Sequence, residues 1–404
     1  MRRVVVTGIG IVSSIGNNPE EVRSSLYNCT PGITKAVGYE DFGFKSQVYG
    51  CPNIELEQNI DRRKLRFLAD GSAWAYIAAE QAIADSNLET NEISHEKTGL
   101  IVGTGGPSTK AIIKAADQTR DRGAKHVGPF AVPKAMCSMA SATLSTYLGI
   151  KGVNYSISSA CATSNNCIGS AYELIKWGSQ DVMIAGGAEE LDWGLSVLFD
   201  AMGAMSSNFN DNPSQASRAY DINRDGFVIA GGAGILILEE YDRAINRGAK
   251  IYAELSGYGS TSDGSDMVLL SGEGAERAMK NAMKGIETKI DYINPHATST
   301  PQGDIIEAKA MKAVFGDKMP IISATKSLTG HSLGAAGAQE AIYSLIMLNN
   351  NFVCKSANID SLDPNFDDLP IALERHDNIE LNTVMSNAFG FGGTNACLVF
   401  RKVN

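Results

Sequence analysis

The sequence predicts an α/β protein of covered sheets arranged in two similar halves, and three observations carry that prediction. Short runs rich in Val and Ile alternate with helix-period segments along the whole chain, 41 glycines punctuate the alternation, and one strand–turn–helix pattern recurs in each half. Continuous apolar runs of this kind belong in sheets buried on both faces. At 404 residues the chain is long enough for two or three cores.

Taken in order, "VVVTGIGIV" opens the chain, with Val4–Val6 as a short buried strand and Gly8 and Gly10 marking the turn that ends it. Basic residues before an apolar run imitate a signal peptide, but Gly and Ser interrupt the run and no small-residue cleavage site closes it. "KLRFLADGSAWAYIAAEQAIADS" reads as an amphipathic helix and "TGLIVGTGG" as the next strand. Val153, Tyr155 and Ile157 then alternate with Asn154, Ser156 and Ser158 at strand period. A Ser/Ala/Cys turn follows, after which Cys167, Ile168, Ala171, Leu174 and Ile175 recur at helix period. "DVMIAGGAEE" and "GILILEE" are further strands. In the second half "PIISAT" reads as a strand, "KSLTGHS" as a turn, and "LGAAGAQEAIYSLIML" as a helix with Ala338, Ala341, Ile342 and Leu345 on one face; "NACLVF" is the last strand. Two halves meeting near 240–255 account for the repetition.

Composition excludes several classes of function. No run of eighteen apolar residues is present, so no transmembrane helix is expected. The net charge of −10 argues against nucleic acid or an anionic membrane as the main partner; an acidic partner needs a local basic patch. Seven cysteines, an odd number without a C-x-x-C pair, fit neither a disulfide framework nor a zinc site, and favour a reduced cytoplasmic setting.

The chemistry-bearing residues separate by neighbourhood. Cys161 stands where the strand pattern stops and the helix pattern starts, so the free N–H groups and dipole of a helix start are placed to stabilise its thiolate. On the residues alone, nucleophile and small buried side chain both stand for Cys161, whereas Cys167 falls on the apolar face and reads as packing. His95, His126 and His376 lie among charges, as surface residues do. His296 in "INPHATSTP" and His331 in "LTGHSLG" follow strand-like runs within turns of small and hydroxyl residues, where α/β folds gather ligands. Lys326, with small neighbours, needs a partner if buried, and Glu340 is a candidate. Asp304 and Glu307 read as acids at a helix start. "NAFGFGGTNA" (387–396) offers backbone N–H groups to a phosphate or an oxyanion. It lacks the Walker lysine, and "GIGIVSS" lacks the third glycine of a dinucleotide fingerprint, so nucleotide binding is not expected.

The motifs "SSACATS", "PHATSTPQGD", "ATKSLTGHSLGAAG" and "SNAFGFGGTN", in this order, resemble the β-ketoacyl-acyl-carrier-protein synthases, the condensing enzymes of fatty-acid synthesis. The likeness covers essentially the whole chain, and "IDRRKLRF" and "SRAYDINRDGFVIAGGAG" look most like synthase I. The resemblance implies a thiolase-like fold, two similar halves stacked α-β-α-β-α. Residues 1–248 would carry the nucleophile and 249–404 the two catalytic histidines. It also implies a homodimer in which the strand near 153–158 pairs across the two-fold axis.

The family's roles, carried over by motif, make Cys161 the acyl acceptor, with the N–H groups of Cys161 and Phe391 as oxyanion donors. His296 and His331 would promote loss of CO₂ from malonyl carrier protein, Lys326 would polarise the site, Glu340 would hold Lys326, and Phe389 and Phe391 would gate it. Gly105, Met136, Phe199 and Met202 would line an acyl tunnel, and Thr298 and Thr300 would contact substrate. Arg62, Arg63, Arg66, Arg122 and Lys125 would dock the acidic acyl carrier protein, the local patch that the acidic chain requires. The resemblance implies no metal, no cofactor, no nucleic acid and no membrane partner.

One residue departs from the family pattern: Ala297 stands where glycine usually follows the first histidine. If that position needs φ > 0, alanine there costs about 1 kcal/mol or more. Three other readings compete with this one. A thiolase would carry a Cys-x-Gly turn where "FGFGGTN" stands, and a non-catalytic chain-length subunit would lack Cys161. A pure carrier-binding scaffold leaves the buried polar residues unexplained. Within the family, a synthase II or a specialised polyketide ketosynthase is the alternative.

Overall fold

The computed structural model describes residues 1–403, and a ten-stranded mixed sheet runs through it. In chain order the strands are β1 (Val4–Val12), β2 (Thr98–Thr104), β3 (Asn154–Tyr155), β4 (Val182–Glu189), β5 (Gly232–Glu240), β6 (Ala253–Ser262), β7 (Tyr292–Asn294), β8 (Ile321–Ile322), β9 (Thr383–Gly390) and β10 (Thr394–Arg401). The helices that matter to the site are α1 (Asp70–Ser86), α2 (Thr109–Arg122), α3 (Met139–Leu148), α4 (Thr163–Lys176), α5 (Trp193–Met202), α6 (Glu273–Ala282), α7 (Gly303–Phe315) and α8 (Ala336–Asn350).

Across the sheet the order is β8-β7-β9-β10-β6-β1-β5-β4-β2-β3. Counted outward from the centre, each half repeats one plan: the first strand, the fifth, the fourth, the second, the third. The senses repeat as well. β1 with β5 and β6 with β10 are antiparallel, while β2 with β4 and β7 with β9 are parallel. The recurrent strand–turn–helix pattern of the sequence is one visible piece of this repetition.

The helices complete five layers. Helices α1 and α3 cover the outer face of the first half-sheet, and α6, backed by α7, covers the outer face of the second. Between them α4 and α8 touch strands of both halves, which is why α8 is buried on nearly every face and α4 is small-residue rich. This is the thiolase-like α-β-α-β-α arrangement. The half-sheets are continuous at one place, where β1 and β6 pair through Val5–Glu254 and Val6–Ala253.

Three elements differ from expectation. β1 runs on through Gly8 and Gly10 to Val12 instead of ending at them. A Cβ at Gly8 would come within 2.2 Å of Ala82 O and one at Gly10 within 1.9 Å of Ala78 O, so these glycines admit the backbone of α1 and do not make a turn. The strand expected over 153–158 is paired only at Asn154–Tyr155, against Leu100–Ile101, and both residues are exposed at the open sheet edge. The predicted turn "KSLTGHS" contains a one-turn helix, Lys326–Thr329.

Candidate active site

Cys161, His296 and His331 come from three separate turns and converge. Their ligating atoms, Sγ and imidazole nitrogens, all lie within 4.8 Å of one another, at the floor of a cavity of about 440 Å³. Cys161 precedes α4 by two residues, in a turn closed by Ser159 N–H donating to Thr163 Oγ1 at 2.8 Å. His296 follows β7, and its backbone N–H donates to Glu307 Oε1 at 2.8 Å. His331 is fastened to the segment before β5: its N–H donates to Val228 O at 2.7 Å and its carbonyl accepts from Ala230 N–H at 2.9 Å.

Backbone strain collects around these residues. Ala160 (φ 50°) precedes Cys161, Ser299 (φ 72°) lies three after His296, and Leu333 (φ 46°) two after His331. Such left-handed conformations at non-glycine residues persist only where the surroundings over-determine them. Ala297 is not among the positive-φ residues, so alanine there is unstrained; its N–H donates to Glu307 Oε2 at 2.7 Å.

The glycine turn closes the site from the second half. Gly390 approaches so closely that a Cβ would lie 2.9 Å from Cys161 N, and Thr394 Oγ1 donates to Ser159 O at 3.0 Å. The backbone N–H groups of Cys161 and Phe391 favour the charged form of the Cys161 sulfur. Phe389 is buried beside His296, while Phe391 is partly exposed and faces Phe199.

Burial nevertheless dominates the thiol. It pushes Cys161 up to about 12, against the pull of the Lys326 ammonium and the two N–H groups. The stabilised thiolate expected from the helix start is therefore not found, because burial outweighs the Lys326 charge and the two N–H groups. Cys167 is also pushed up to about 12 but is fully buried in the core, away from the cavity. Access, not acidity, separates the two cysteines.

Burial, then the Lys326 charge, hold His331 well below the ordinary imidazole range; His296 is lowered by the same causes and by His331. Both rings are thus neutral at neutral pH, and among the described residues His331 Nδ1 and Nε2 and His296 Nδ1 have no hydrogen-bond partner. Lys326 Nζ donates to Glu340 Oε1 at 2.5 Å, both residues being 2% exposed, and burial raises Glu340 to about 7.

Among the described residues the Cys–His–His trio is the one cluster of three such groups able to hold a metal ion. Its donor set carries at most one negative charge and has Lys326 beside it, which suits a nucleophile with two neutral donors better than a resident divalent cation.

Phe199, Met202, Thr298, Thr300, Phe389 and Phe391 line the same cavity. Gly105 and Met136 do not. Gly105 backs onto Glu189, and Met136 lies between the short helix Ala131–Ala135 and α3. Arg62, Arg63, Arg66, Arg122 and Lys125 are all exposed, and none is in an ion pair among the described residues. Phe67 packs edge-on against Phe130, with Arg66 over the same ring, which joins the arginine segment to the stretch following Lys125. His95, His126 and His376 are exposed as expected.

Sequence reasoning undervalued Glu307. This fully buried carboxylate holds the backbone of His296 and Ala297 and accepts from Asn387 Nδ2 at 3.2 Å. The signal was present: Asp304, Glu307, Ala308 and Met311 share the buried face of α7 at i, i+3, i+4, i+7, and acids on such a stripe are seldom mere solvent-facing caps.

Residues 1–244 match the family model "Beta-ketoacyl synthase, N-terminal domain" and residues 252–360 match "Beta-ketoacyl synthase, C-terminal domain". The proteins named 3-oxoacyl-[acyl-carrier-protein] synthase 1 of Haemophilus influenzae and Escherichia coli are each 55% identical to the chain over 405 residues, covering 100% of both sequences. The crystal structure of a β-ketoacyl synthase from Burkholderia phymatum superposes with a TM-score of 0.94 at 34% identity, again over 100% of each chain.

Proposed function

The chain belongs to the β-ketoacyl synthase family, and from that premise we infer that it is a type I condensing enzyme of fatty-acid elongation, an acyltransferase that joins malonyl carrier protein to an enzyme-bound acyl group. The convergence of Cys161, His296 and His331 on one cavity carries this reading. Full-length identity to two synthase 1 proteins favours it over the synthase II and polyketide alternatives.

The reaction runs in two halves. Cys161 attacks the thioester carbonyl of acyl carrier protein; its S–H proton passes to the departing carrier thiolate, and the oxyanion is held by the N–H groups of Cys161 and Phe391. Gly390, by its close approach, keeps those two donors together. Malonyl carrier protein then enters past Thr298 and Thr300. Its C–CO₂ bond breaks and CO₂ leaves, while the electron pair moves onto the thioester oxygen, which accepts hydrogen bonds from His296 and His331. The enolate carbon attacks the acyl-cysteine carbonyl; a C–C bond forms, the C–S bond breaks and the departing Cys161 thiolate takes up a proton from solvent, the one proton the overall reaction consumes. Two neutral imidazoles in a cavity with mostly apolar walls suit this task, because they donate without first stabilising the malonyl carboxylate as imidazolium would. Burial keeps both rings neutral, and the positive field of Lys326, held by Glu340, adds to it. Phe389 and Phe391 gate the glycine turn, and Phe199 and Met202, which line the cavity, seat the growing chain.

Arg62, Arg63, Arg66, Arg122 and Lys125 dock the acidic carrier protein, five exposed cations without an ion pair among the described residues on a chain of net charge −10. The unpaired outer edge of β3 joins a second copy into a homodimer, a common means of removing an open sheet edge. The two halves divide at 248/249, between the spans of the two family models. A free nucleophilic thiol suits the reducing cytoplasm. The test is direct: purified protein with acyl- and malonyl-carrier protein yields a β-ketoacyl product two carbons longer, and Cys161→Ala yields none. Product formation by that variant would remove Cys161 from the mechanism.

A further inference from the structure

Glu189 ends β4 and is 1% exposed, yet the condensation gives it no part. Its Oε2 accepts the backbone N–H of Gly105 at 2.8 Å and of Gly334 at 2.9 Å. Gly105 lies in the turn after β2, and Gly334 lies three residues beyond His331. One carboxylate oxygen therefore joins turns from both halves of the chain. The fit admits no side chain. A Cβ at Gly105 would come within 2.4 Å of Glu189 Oε2, and one at Gly334 within 2.3 Å of Gly105 N and 2.8 Å of the carboxylate.

Between His331 and Gly334 stands Leu333, held in the left-handed region. Leu333 lines the cavity and packs in one cluster with Cys161, Phe199 and Phe227. His331 itself is anchored elsewhere, by Val228 and Ala230. Glu189 thus holds the wall next to the nucleophile without holding the histidine. No cation pairs with the carboxyl among the described residues, and burial pushes it up to about 8.

We propose that Glu189 is a positioning residue for acylation of Cys161: it clamps the Gly105 turn to the Leu333–Gly334 turn and so sets the wall on which the acyl chain is seated. This rests on the condensing-enzyme reading above. Its test compares full-length Glu189→Ala and Glu189→Gln with wild type in three assays: acyl-enzyme formation from a long-chain acyl carrier protein, acyl-enzyme formation from an acetyl donor, and malonyl carrier protein decarboxylation. For Glu189→Ala the expected losses are about tenfold or more with the long-chain donor and under about threefold in the other two assays. Glu189→Gln, keeping an acceptor oxygen, recovers most of the long-chain rate. Matched losses in all three assays with a lowered Tm would make Glu189 a general structural clamp and overturn the proposal, as would an unchanged long-chain rate. Failure of the wild type to form any acyl-enzyme would instead count against the condensing-enzyme reading.

Discussion

His296 and His331 meet edge to face, their ring centroids 5.1 Å apart and their planes at 88°. The two imidazoles reach this geometry from opposite supports, His296 through Glu307 and His331 through Val228. Each ring can therefore be removed without dismantling the backbone of the other.

His296→Ala and His331→Ala are each expected to lower malonyl decarboxylation by about 10²-fold or more, the scale of losing one donor to a developing oxyanion. Release of labelled CO₂ measures this directly. Turnover within a few-fold of wild type in either variant would take that ring out of the decarboxylation step.

The lowered histidine pKa values set a stability prediction whose sign follows from proton counting. Folded, both rings stay neutral below the ordinary range, whereas unfolded they protonate near 6.5. The unfolded state then binds more protons as pH falls below about 6.5, so stability declines there, by up to about 1.4 kcal/mol per pH unit for each ring. Above about 7 the two rings contribute no slope. Urea unfolding at pH 5.5 to 7.5 should show a shallower acid-side decline in His331→Ala; an identical slope would contradict a buried neutral ring.

Cys161→Ser should abolish condensation, whereas Cys167→Ser should keep most of it, since Cys167 is a fully buried packing residue. Iodoacetamide labelling with mass mapping gives an independent check, because the cavity admits reagent to Cys161 and the core excludes it from Cys167. Preferential loss of activity in the Cys167 variant would reverse the assignment.

Removing Glu340 strands a buried ammonium. Glu340→Ala is expected to destabilise the fold by about 3–5 kcal/mol, and Lys326→Met in the same chain to restore part of that, because the pair is buried at 2% exposure on both sides. Denaturant midpoints of the single and double variants decide it; additive losses would mean the two groups are not coupled.

Ala297→Gly should bring no gain. The position is not left-handed, so no strain is relieved, and the added freedom of glycine is expected to cost about 0.5–1 kcal/mol. Charge reversal at Arg62 and Arg66 should raise KM for carrier-protein substrates by about tenfold and leave a small thioester mimic unaffected. Equal effects on both substrates would argue against docking at that segment.

Much of the molecule was legible because its signals are local. Helix and strand periods depend on neighbours in the chain, so β2, β4, β5, β10, α4 and α8 could be read directly, as could the turns that carry Cys161, His296 and His331. Exposed arginines are equally local, since solvation needs no distant partner. Gly8 and Gly10 misled because the same residue serves a turn or a close backbone approach, and only the position of α1 distinguishes them.

Local pattern carried the alternation of elements and the duplicated plan, and the motifs, through the family they resemble, pointed to Cys161, His296 and His331 as the candidate reactive side chains. Packing settled what no linear pattern encodes: which of two cysteines opens on a cavity, that burial pushes the Cys161 thiol up despite Lys326 nearby, that Glu307 holds the His296 turn, and that Glu189 ties Gly105 to Gly334. These depend on distances between residues far apart in the chain and on water excluded by several elements at once, and both exist only after the halves have packed.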